Sequence, residues 1–395
     1  MAKLLPTLSR AKWLRDPKLQ DLMHVIAKAG GEARVAGGAV RNALLGEPVT
    51  EVDLATTLPP MAVKSCCETA GFKVVPTGID HGTLTVVVHG TPFEVTTLRH
   101  DIATDGRRAH VKFTDNWQQD AQRRDFTINA MFADQQGKIY DYTDGYEDIQ
   151  KRKVRFVGAA RQRIMEDYLR ILRFFRFHAR YGNSAPDAKG LAACKNLRKG
   201  LATLSAERIR QEMLKLLSAP RAVPTLKVMA KAGILRLVLV HTDDWRTLER
   251  LGPDAILRLA ILAREPHTLK ASFRLSNAEA GRIEALQDAP TLAPSLRPIE
   301  RRQLLYGMGK HRWRDAVTVS WAKSSSSLDD RGWRALLNLP KSWQTPAFPI
   351  TGKDLLQAGL PPGPAVGQAL QDLEDWWLAS GFKPTREQLL QKVTQ

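Results

Sequence analysis

Cysteine is scarce in this sequence, which has three cysteines among 395 residues. Cys66 and Cys67 are adjacent and Cys194 lies far from them, so the spacing matches neither a zinc-binding C-x-x-C pair nor a disulfide framework. Long hydrophobic runs are also lacking, which argues against a membrane span, and the first residues lack the apolar segment of a secretory signal. We therefore expect reduced thiols, a cytoplasmic location and no membrane partner.

Acidic residues are fewer than basic ones: 41 Asp and Glu stand against 59 Lys and Arg, giving a net charge of +18. The excess is concentrated in residues 151–230, where 19 basic residues against 5 acidic ones leave +14. A positive charge this localised predicts a polyanionic partner, with nucleic acid as the first choice. A general solubility charge is the alternative, and a membrane surface is disfavoured because no separate amphipathic helix is visible.

Two common phosphate-binding motifs are missing around Gly37 and Gly38. No Gly-Lys-Ser/Thr follows them, as in a P-loop, and their spacing does not match the dinucleotide-binding G-x-G-x-x-G pattern. The sequence instead predicts a strand over 33–36, a Gly-Gly turn and a helix over 40–45. Backbone N–H groups of such a turn can hold a triphosphate, to which Arg41 adds a charged fork. An ordinary tight turn is the alternative.

A pair of carboxylates, Glu51 and Asp53, follows the glycine turn at the beginning of a predicted short strand over 52–55. Their spacing of two places both on one face of a strand. Paired carboxylates can hold the metal ions needed for phosphoryl or nucleotidyl transfer, and Glu94, on a predicted strand over 93–98, is available as a third acid. A solvated strand face is the alternative. Turn and acids together predict a metal-dependent nucleotidyltransferase.

A polar, turn-rich stretch over 99–120 predicts a mobile loop. The segment that follows, Arg123-Arg124-Asp125-Phe126-Thr127-Ile128-Asn129-Ala130, offers positive charge for phosphates and polar groups for ribose hydroxyls. Its structural alternative is a helix start, where a carboxylate such as Asp125 near the N-terminus is favourable.

A strong helix is predicted over 164–181, with Asp167, Arg170, Arg173 and Arg176 spaced three apart on one face. Asp167 accepts hydrogen bonds and Arg170 donates them. Cytosine and adenine both present an amino donor beside a ring-nitrogen acceptor, so this pair would accept them and reject uracil and guanine. An exposed arginine stripe with ion pairs is the alternative.

Strand patterns are confined to about the first 150 residues, and helical periodicity follows to the end of the chain, which predicts an α+β protein. Several motifs occur in order along it: Gly37-Gly38-x-x-Arg41, Glu51-x-Asp53, the segment 123–130, Asp144-Gly145, Glu166-Asp167-x-x-Arg170 and Ser205-Ala206-Glu207-Arg208-Ile209. Together they resemble the class II tRNA nucleotidyltransferase and poly(A) polymerase family.

The resemblance implies an N-terminal nucleotidyltransferase head with a small mixed β-sheet, then an all-helical neck, body and tail, with the active site between head and neck. The corresponding ranges are an N-terminal helical segment 1–30, a catalytic head 31–155, a neck and RNA-binding helical domain 156–250, and a helical body and tail 251–395.

The resemblance also implies a role for each matching residue. Glu51 and Asp53 would hold Mg²⁺, with Glu94 as a third catalytic carboxylate. The remaining roles concern the nucleotide: Gly37, Gly38 and Arg41 would meet the triphosphate, Arg124 the sugar-phosphate, Asp167 and Arg170 the base, and Arg173 and Arg176 would support that site.

Two positions depart from the family pattern. The family usually has Asp where Glu51 stands and commonly Asp where Asn42 stands. Glu is still a hard oxygen ligand, so we expect a working metal site with slightly altered geometry. The sequence assigns no role to the charge that is absent at Asn42.

The implied activity is template-independent addition of C, C and A to tRNA 3′ ends from CTP and ATP, with release of pyrophosphate. Alternatives within the family are a poly(A) polymerase or a partial enzyme that adds only CC or only A. A non-catalytic RNA-binding protein on the same scaffold is a more distant alternative, because both acids, the glycine turn and the base-edge pair, Asp167 and Arg170, are present.

Overall fold

A seven-stranded mixed sheet forms the first part of the chain in the computed structural model, which describes residues 5–105 and 108–393. In chain order its strands are β1 Ala33–Ala36, β2 Leu54–Thr56, β3 Lys73–Gly78, β4 Thr83–Val88, β5 Thr91–Thr97, β8 Met131–Ala133 and β9 Ile139–Asp141, and they lie side by side as β3-β4-β5-β2-β1-β8-β9. Strands β2 and β5 pair in parallel, whereas the other described neighbours are antiparallel.

The central strands β1 and β2 are buried along their whole length, because the sheet is covered there on both faces. One cover is the helix α1 Pro17–Lys28, whose start is capped by the Asp16 carboxylate accepting from the Lys18 N–H at 3.0 Å. Its apolar face, with Leu19, Leu22 and Ile26 fully buried, packs against the sheet. Burial of this face fixes the sheet that carries the glycine turn.

The chain divides into two units, Met1–His241 and Thr242–Gln395. The finer division into ranges 1–30, 31–155, 156–250 and 251–395 stays a prediction. The remaining helices of the first unit are α2 Gly38–Leu45, α3 Pro60–Thr69, α4 Trp117–Arg123, α5 Gly145–Gln150, α6 Ala160–Glu166, α7 Leu169–Tyr181, α8 Ala188–Leu197, α9 Ala206–Leu217 and α10 Ala222–Lys231.

A cluster of phenylalanine rings joins the sheet-bearing segment to the helices of the first unit. Phe156 and Phe174 stack with centroids 5.4 Å apart, and Phe126 lies 5.2 Å from Phe177. Rings at these distances bury a large apolar area and contribute a specific packing energy. The cluster anchors α7, which also packs against α9 and α10, so the arginine-bearing helix is held at a fixed position beside the sheet.

The second unit is helical in its described part, to residue 393. Its helices are α11 Trp245–Arg250, α12 Ala255–Leu262, α13 Leu269–Ser272, α14 Asn277–Gln287, α15 Pro298–Lys323, α16 Arg331–Ser342, α17 Gly352–Gln357, α18 Pro364–Ala379 and α19 Arg386–Gln391. One core forms around Trp313 and Trp333 and another around Trp377. The helix α15 kinks at Gly309, which has φ 73°. The predicted α+β class is therefore confirmed.

The prediction of a mobile loop over 99–120 is wrong. Strands β6 Arg99–Asp105 and β7 Arg108–Phe113 form a separate two-stranded ladder, and α4 follows. A ladder satisfies backbone N–H and C=O groups whatever the side chains are, so a polar composition does not prevent it. Residues 106–107 of the predicted turn lie outside the described residues.

Two boundary predictions around the acidic motifs are also wrong. Strand β2 begins at Leu54, so Glu51 and Asp53 lie in the segment before it rather than on the strand. The predicted helix over 164–181 is interrupted at Asp167, which has φ −157° and ψ 110° and separates α6 from α7. The break is stabilised because the Asp167 carboxylate accepts from the Leu169 N–H at 3.0 Å. Asp167 therefore does not share a helix with the arginines.

Within the described residues, no helix has both the length and the hydrophobicity that a bilayer crossing requires.

Candidate active site

One cavity of about 740 Å³ in the first unit brings together the residues to which the sequence analysis assigned a catalytic or nucleotide-binding role. The predicted residues lining it are Gly37, Gly38, Arg41, Glu51, Asp53, Glu94, Arg124, Asp167, Arg170, Arg173 and Arg176. They come from the β1–α2 turn and α2, the approach to β2, strand β5, the residue after α4, the break between α6 and α7, and α7 itself. The fold thus assembles residues that are up to 139 positions apart in the chain.

The glycine turn lies at the edge of the cavity where β1 ends and α2 begins. Gly37 has φ 63°, and a Cβ there would lie 3.1 Å from the Asn129 carbonyl oxygen and 3.2 Å from an Arg124 nitrogen. A side chain at this position is therefore both strained and crowded. The turn directs the N-terminus of α2, with its partial positive charge, toward the cavity.

Arg41 is a buried cation whose hydrogen-bond partners are neutral amides. Its Nε and Nη2 donate to the Asn42 Oδ1 at 3.1 and 2.9 Å, and its Nη1 donates to the Asn129 Oδ1. The Tyr181 ring packs against the guanidinium with its centroid 4.4 Å away. Burial lowers the pKa of Arg41. Asn42, the departure from the family pattern, therefore holds Arg41 without neutralising it.

The three acids Glu51, Asp53 and Glu94 face solvent within the cavity. The Asp53 backbone is fixed because its carbonyl accepts from the Ala36 N–H at 2.8 Å. Desolvation raises the pKa of Asp53, and the nearby carboxylates of Glu94 and Glu51 raise it further. In residues 5–105 and 108–393 no three potential ligands converge closely enough to form a metal cluster. Repulsion among hard oxygen donors is nevertheless the environment that a divalent cation relieves.

Asp120 is a site residue that the sequence analysis missed. Its carboxylate is 1% exposed and accepts from Arg123 at 2.7 Å, from Arg124 at 3.0 Å and from the backbone N–H of Arg99 at 3.3 Å. Burial alone would raise the pKa of Asp120, but the two arginines hold it below its usual value. The spacing of Asp120 from Arg123 and Arg124, three and four residues along a helix, could have indicated these ion pairs.

Asp125 and the 123–130 segment form the base of the cavity beside α7. The Asp125 carboxylate pairs with Arg173 at 2.5 Å and accepts from the Asn129 amide at 3.1 Å. Burial opposes ionisation of Asp125, but Arg173 and the Asn129 hydrogen bond lower its pKa. The motif glycine Gly145 belongs to the same support, because a Cβ there would lie 2.2 Å from the carbonyl oxygen of Thr127.

Asp167 and Arg170 both line the cavity, but each already has another partner. Asp167 Oδ2 accepts from Arg208 Nη2 at 2.7 Å. Arg170 Nη1 donates to the Arg163 carbonyl at 2.7 Å and pairs with Glu166. Arg208, from α9, also lines the cavity, and the sequence analysis gave it no role there. These partners hold the side chains of the predicted base-edge pair in place.

The two further arginines of α7 are held by carboxylates from other elements. Arg176 pairs with Glu212 at 3.0 Å, and Arg173 bridges Asp125 and Glu212, the latter at 3.8 Å. Burial raises the pKa of Glu212 despite these cations. This arrangement is consistent with the supporting role predicted for both arginines.

Comparison with known proteins identifies the family of this chain. The family model "Poly A polymerase head domain" matches residues 33–155, and "Probable RNA and SrmB- binding site of polymerase A" matches residues 186–245. A CCA tRNA nucleotidyltransferase 1, mitochondrial, from Danio rerio is 37% identical over 95% of this chain and 90% of its own length. The chain belongs to the class II CCA-adding enzyme and poly(A) polymerase family.

Two further members of this family extend the comparison. A CCA-adding enzyme from Leuconostoc citreum is 33% identical over 90% of both chains. The crystal structure of the Bacillus stearothermophilus CCA-adding enzyme in complex with CTP superimposes with a TM-score of 0.78 at 28% identity, covering 95% of this chain and 96% of that one. The similarity therefore includes both units of the chain.

Proposed function

We propose that this protein is a CCA-adding tRNA nucleotidyltransferase. It adds C, C and A to the 3′ ends of tRNA, using CTP and ATP as substrates and releasing pyrophosphate. The observation that carries the proposal is the single cavity holding the glycine turn, the acidic pair and the Asp167–Arg170 pair. Relatives that span nearly the whole chain and are named for this activity support it.

We propose Mg²⁺ as the metal, held by Glu51 and Asp53 with Glu94 as a third carboxylate. The chemistry of the donors fits, because all three side chains offer hard oxygen atoms and Asp53 is destabilised as an anion by desolvation and then by the other two carboxylates. The bound metal supplies charge neutralisation at the triphosphate and activation of the attacking 3′ hydroxyl.

The glycine turn and two arginines would hold the triphosphate. Gly37 and Gly38 allow close backbone approach, and the N-terminus of α2 favours negative charge. Arg41 brings a guanidinium that no carboxylate in the described residues pairs with, and Arg124 is held toward the cavity by Asp120. Orienting the triphosphate in this way lowers the entropic part of the barrier.

Asp167 and Arg170 would select the base without losing their present partners. A carboxylate has about four acceptor positions and a guanidinium has five N–H donors. The contacts with Arg208, Leu169, Glu166 and Arg163 use only part of that capacity. Uracil or guanine would leave a buried polar group without a partner, which costs about 1–3 kcal/mol.

A poly(A) polymerase is the second candidate, favoured by the description of the matching head-domain family. A tRNA lacking its terminal CCA, incubated with each nucleoside triphosphate alone and with CTP and ATP together, separates the candidates. Growth that stops after three residues supports CCA addition, and a long A ladder supports a poly(A) polymerase. Extension by only CC or only A would identify a partial enzyme, and no extension would contradict the proposed function.

The predicted domain ranges and the cytoplasmic location belong to the same proposal. We propose 31–155 as the catalytic head, 156–250 as the neck and RNA-binding region, and 251–395 as body and tail. Imaging of a fluorescently tagged chain in its own cells tests the location, and enrichment in another compartment would contradict it.

A further inference from the structure

A second, smaller cavity adjoins the proposed active site. It has a volume of about 330 Å³ and shares Arg41, Arg176 and Phe177 with the larger cavity. Its other lining residues are Arg180, Tyr181, Lys215, Ser218 and Ala219. The two cavities therefore adjoin each other at Arg41 and the C-terminal half of α7, and a ligand in one lies beside a ligand in the other.

The second cavity carries more positive charge than its surroundings balance. Arg176 pairs with Glu212 at 3.0 Å, and Arg180 pairs with Glu47 at 2.6 Å. Neither Arg41 nor Lys215 forms a salt bridge with any carboxylate in the part of the chain that the structure describes.

Lys215 is exposed, whereas Arg41 is buried and lies in the cavity wall without a carboxylate partner among the described residues. Placing charge in such a site is costly unless an ion of opposite sign shares it.

Arg41 distinguishes the unbalanced positive charge of the cavity from ordinary surface charge. The side chain is 8% exposed, and its described hydrogen bonds go to the neutral oxygens of Asn42 and Asn129. Tyr181, which lines the cavity, donates from its hydroxyl to the same Asn42 oxygen at 3.4 Å. The amide at position 42 therefore orients Arg41 and leaves its charge available to a ligand.

A purely structural explanation covers only part of the cluster. Arg180 lies in the last turn of α7 and Lys215 in the last turn of α9, where cations stabilise the C-terminal end of a helix. Arg41 lies inside α2 and is buried, so this explanation does not apply to it. Lys231 provides a comparison, because it is an exposed last-turn lysine of α10 that lines neither cavity.

We propose that the second cavity binds a phosphate group during nucleotide addition. The phosphate comes either from the 3′ strand of the tRNA or from the departing pyrophosphate. The volume suits one or two phosphate groups, and the guanidinium and ammonium groups are the donors that phosphate oxygens prefer. This inference rests on the proposed function, since that function supplies both phosphate sources next to Arg41.

The test compares Lys215→Ala with Lys231→Ala and the unaltered chain. Affinity for a tRNA lacking CCA is measured by filter binding over a range of salt concentrations, and affinity for inorganic pyrophosphate by calorimetry. If the tRNA strand occupies the cavity, Lys215→Ala weakens tRNA binding about tenfold and reduces the salt slope by about 0.7. If pyrophosphate occupies it, the affinity for pyrophosphate falls about tenfold and tRNA binding is unchanged.

Either of these results supports the phosphate site and identifies the source. Equal affinities for both ligands in Lys215→Ala and the unaltered chain would overturn the proposal. An equal loss in Lys231→Ala would also overturn it, because the effect would then reflect general surface charge.

Both measurements are made without turnover, so they do not depend on catalysis. A chain that adds no CCA but shows the Lys215 effect refutes the proposed function and retains the phosphate site. Normal CCA addition without that effect refutes only the phosphate site.

Discussion

Replacing Asp120 with asparagine should both destabilise the protein and weaken nucleotide binding. The substitution keeps the shape of the side chain and removes the charge that faces Arg123 and Arg124. Those arginines are 17% and 20% exposed, and the carboxylate is 1% exposed. Breaking a buried pair by removing one partner costs about 3–5 kcal/mol, and the remaining amide oxygen favours the lower value. A loss of about 3 kcal/mol corresponds to a fall in Tm of about 6–12 °C.

The same change should raise the KM for CTP and for ATP by similar factors. Asp120 holds Arg124 toward the triphosphate region and does not contact Asp167 or Arg170. We therefore expect the KM to rise about tenfold for both nucleotides. Thermal unfolding and steady-state kinetics measure the two effects. Asp115→Asn is the matched control, because Asp115 is an exposed carboxylate just before the same helix. An Asp120→Asn protein with the Tm of this control, or with unchanged KM values, would refute the reasoning.

Further predictions concern the acids, the base-edge pair and one buried histidine. Asp53→Ala should abolish CMP and AMP addition while tRNA binding persists, and near-normal turnover would contradict its metal role. Arg170→Ala should relax selection so that UTP is incorporated at least about tenfold more readily relative to CTP, and unchanged selectivity would count against templating. Burial lowers the pKa of His178 from 6.5 to about 4, with Arg221 adding to the shift. The unfolded chain therefore binds more protons between these pH values, and stability should fall by up to about 3 kcal/mol as pH drops from 6.5 to 4. Urea unfolding of wild type and His178→Leu across this range tests the shift, since the variant should lose that part of the slope.

Local patterns were sufficient to predict several elements of the site. The alternation of small apolar residues and glycine indicated β1, the turn and α2, and the structure has them at Ala33–Ala36 and Gly38–Leu45. These elements depend on hydrophobic periodicity and on a backbone conformation available to glycine, both of which are properties of a short segment. That the site residues meet between head and neck was implied only by the family resemblance, and the structure shows them lining one cavity.

Predictions failed where a contact from a distant element decided the local structure. The polar segment over 99–120 was expected to be a loop, but β6 and β7 form a local hairpin whose backbone pairing does not depend on apolar side chains, and the Arg99 N–H donates to Asp120, 21 residues away. The helix expected over 164–181 breaks at Asp167, whose carboxylate binds Arg208 from α9, 41 residues away. The two side-chain contacts, of Asp120 with Arg99 and of Asp167 with Arg208, are not visible in a window of ten or fifteen residues.

The sequence by itself determined the composition of the site and the chemistry available to it. Short-range spacing places glycines, acids and arginines in order along the chain, and charge alone predicts a polyanionic partner. Only the tertiary structure decided which charges are balanced. Arg173, Arg176 and Arg208 have carboxylate partners supplied by packing, whereas Arg41 is held by the neutral Asn42 and Asn129. The physical reason is that electrostatic balance depends on distance and burial in space, and these are set when separate elements pack together.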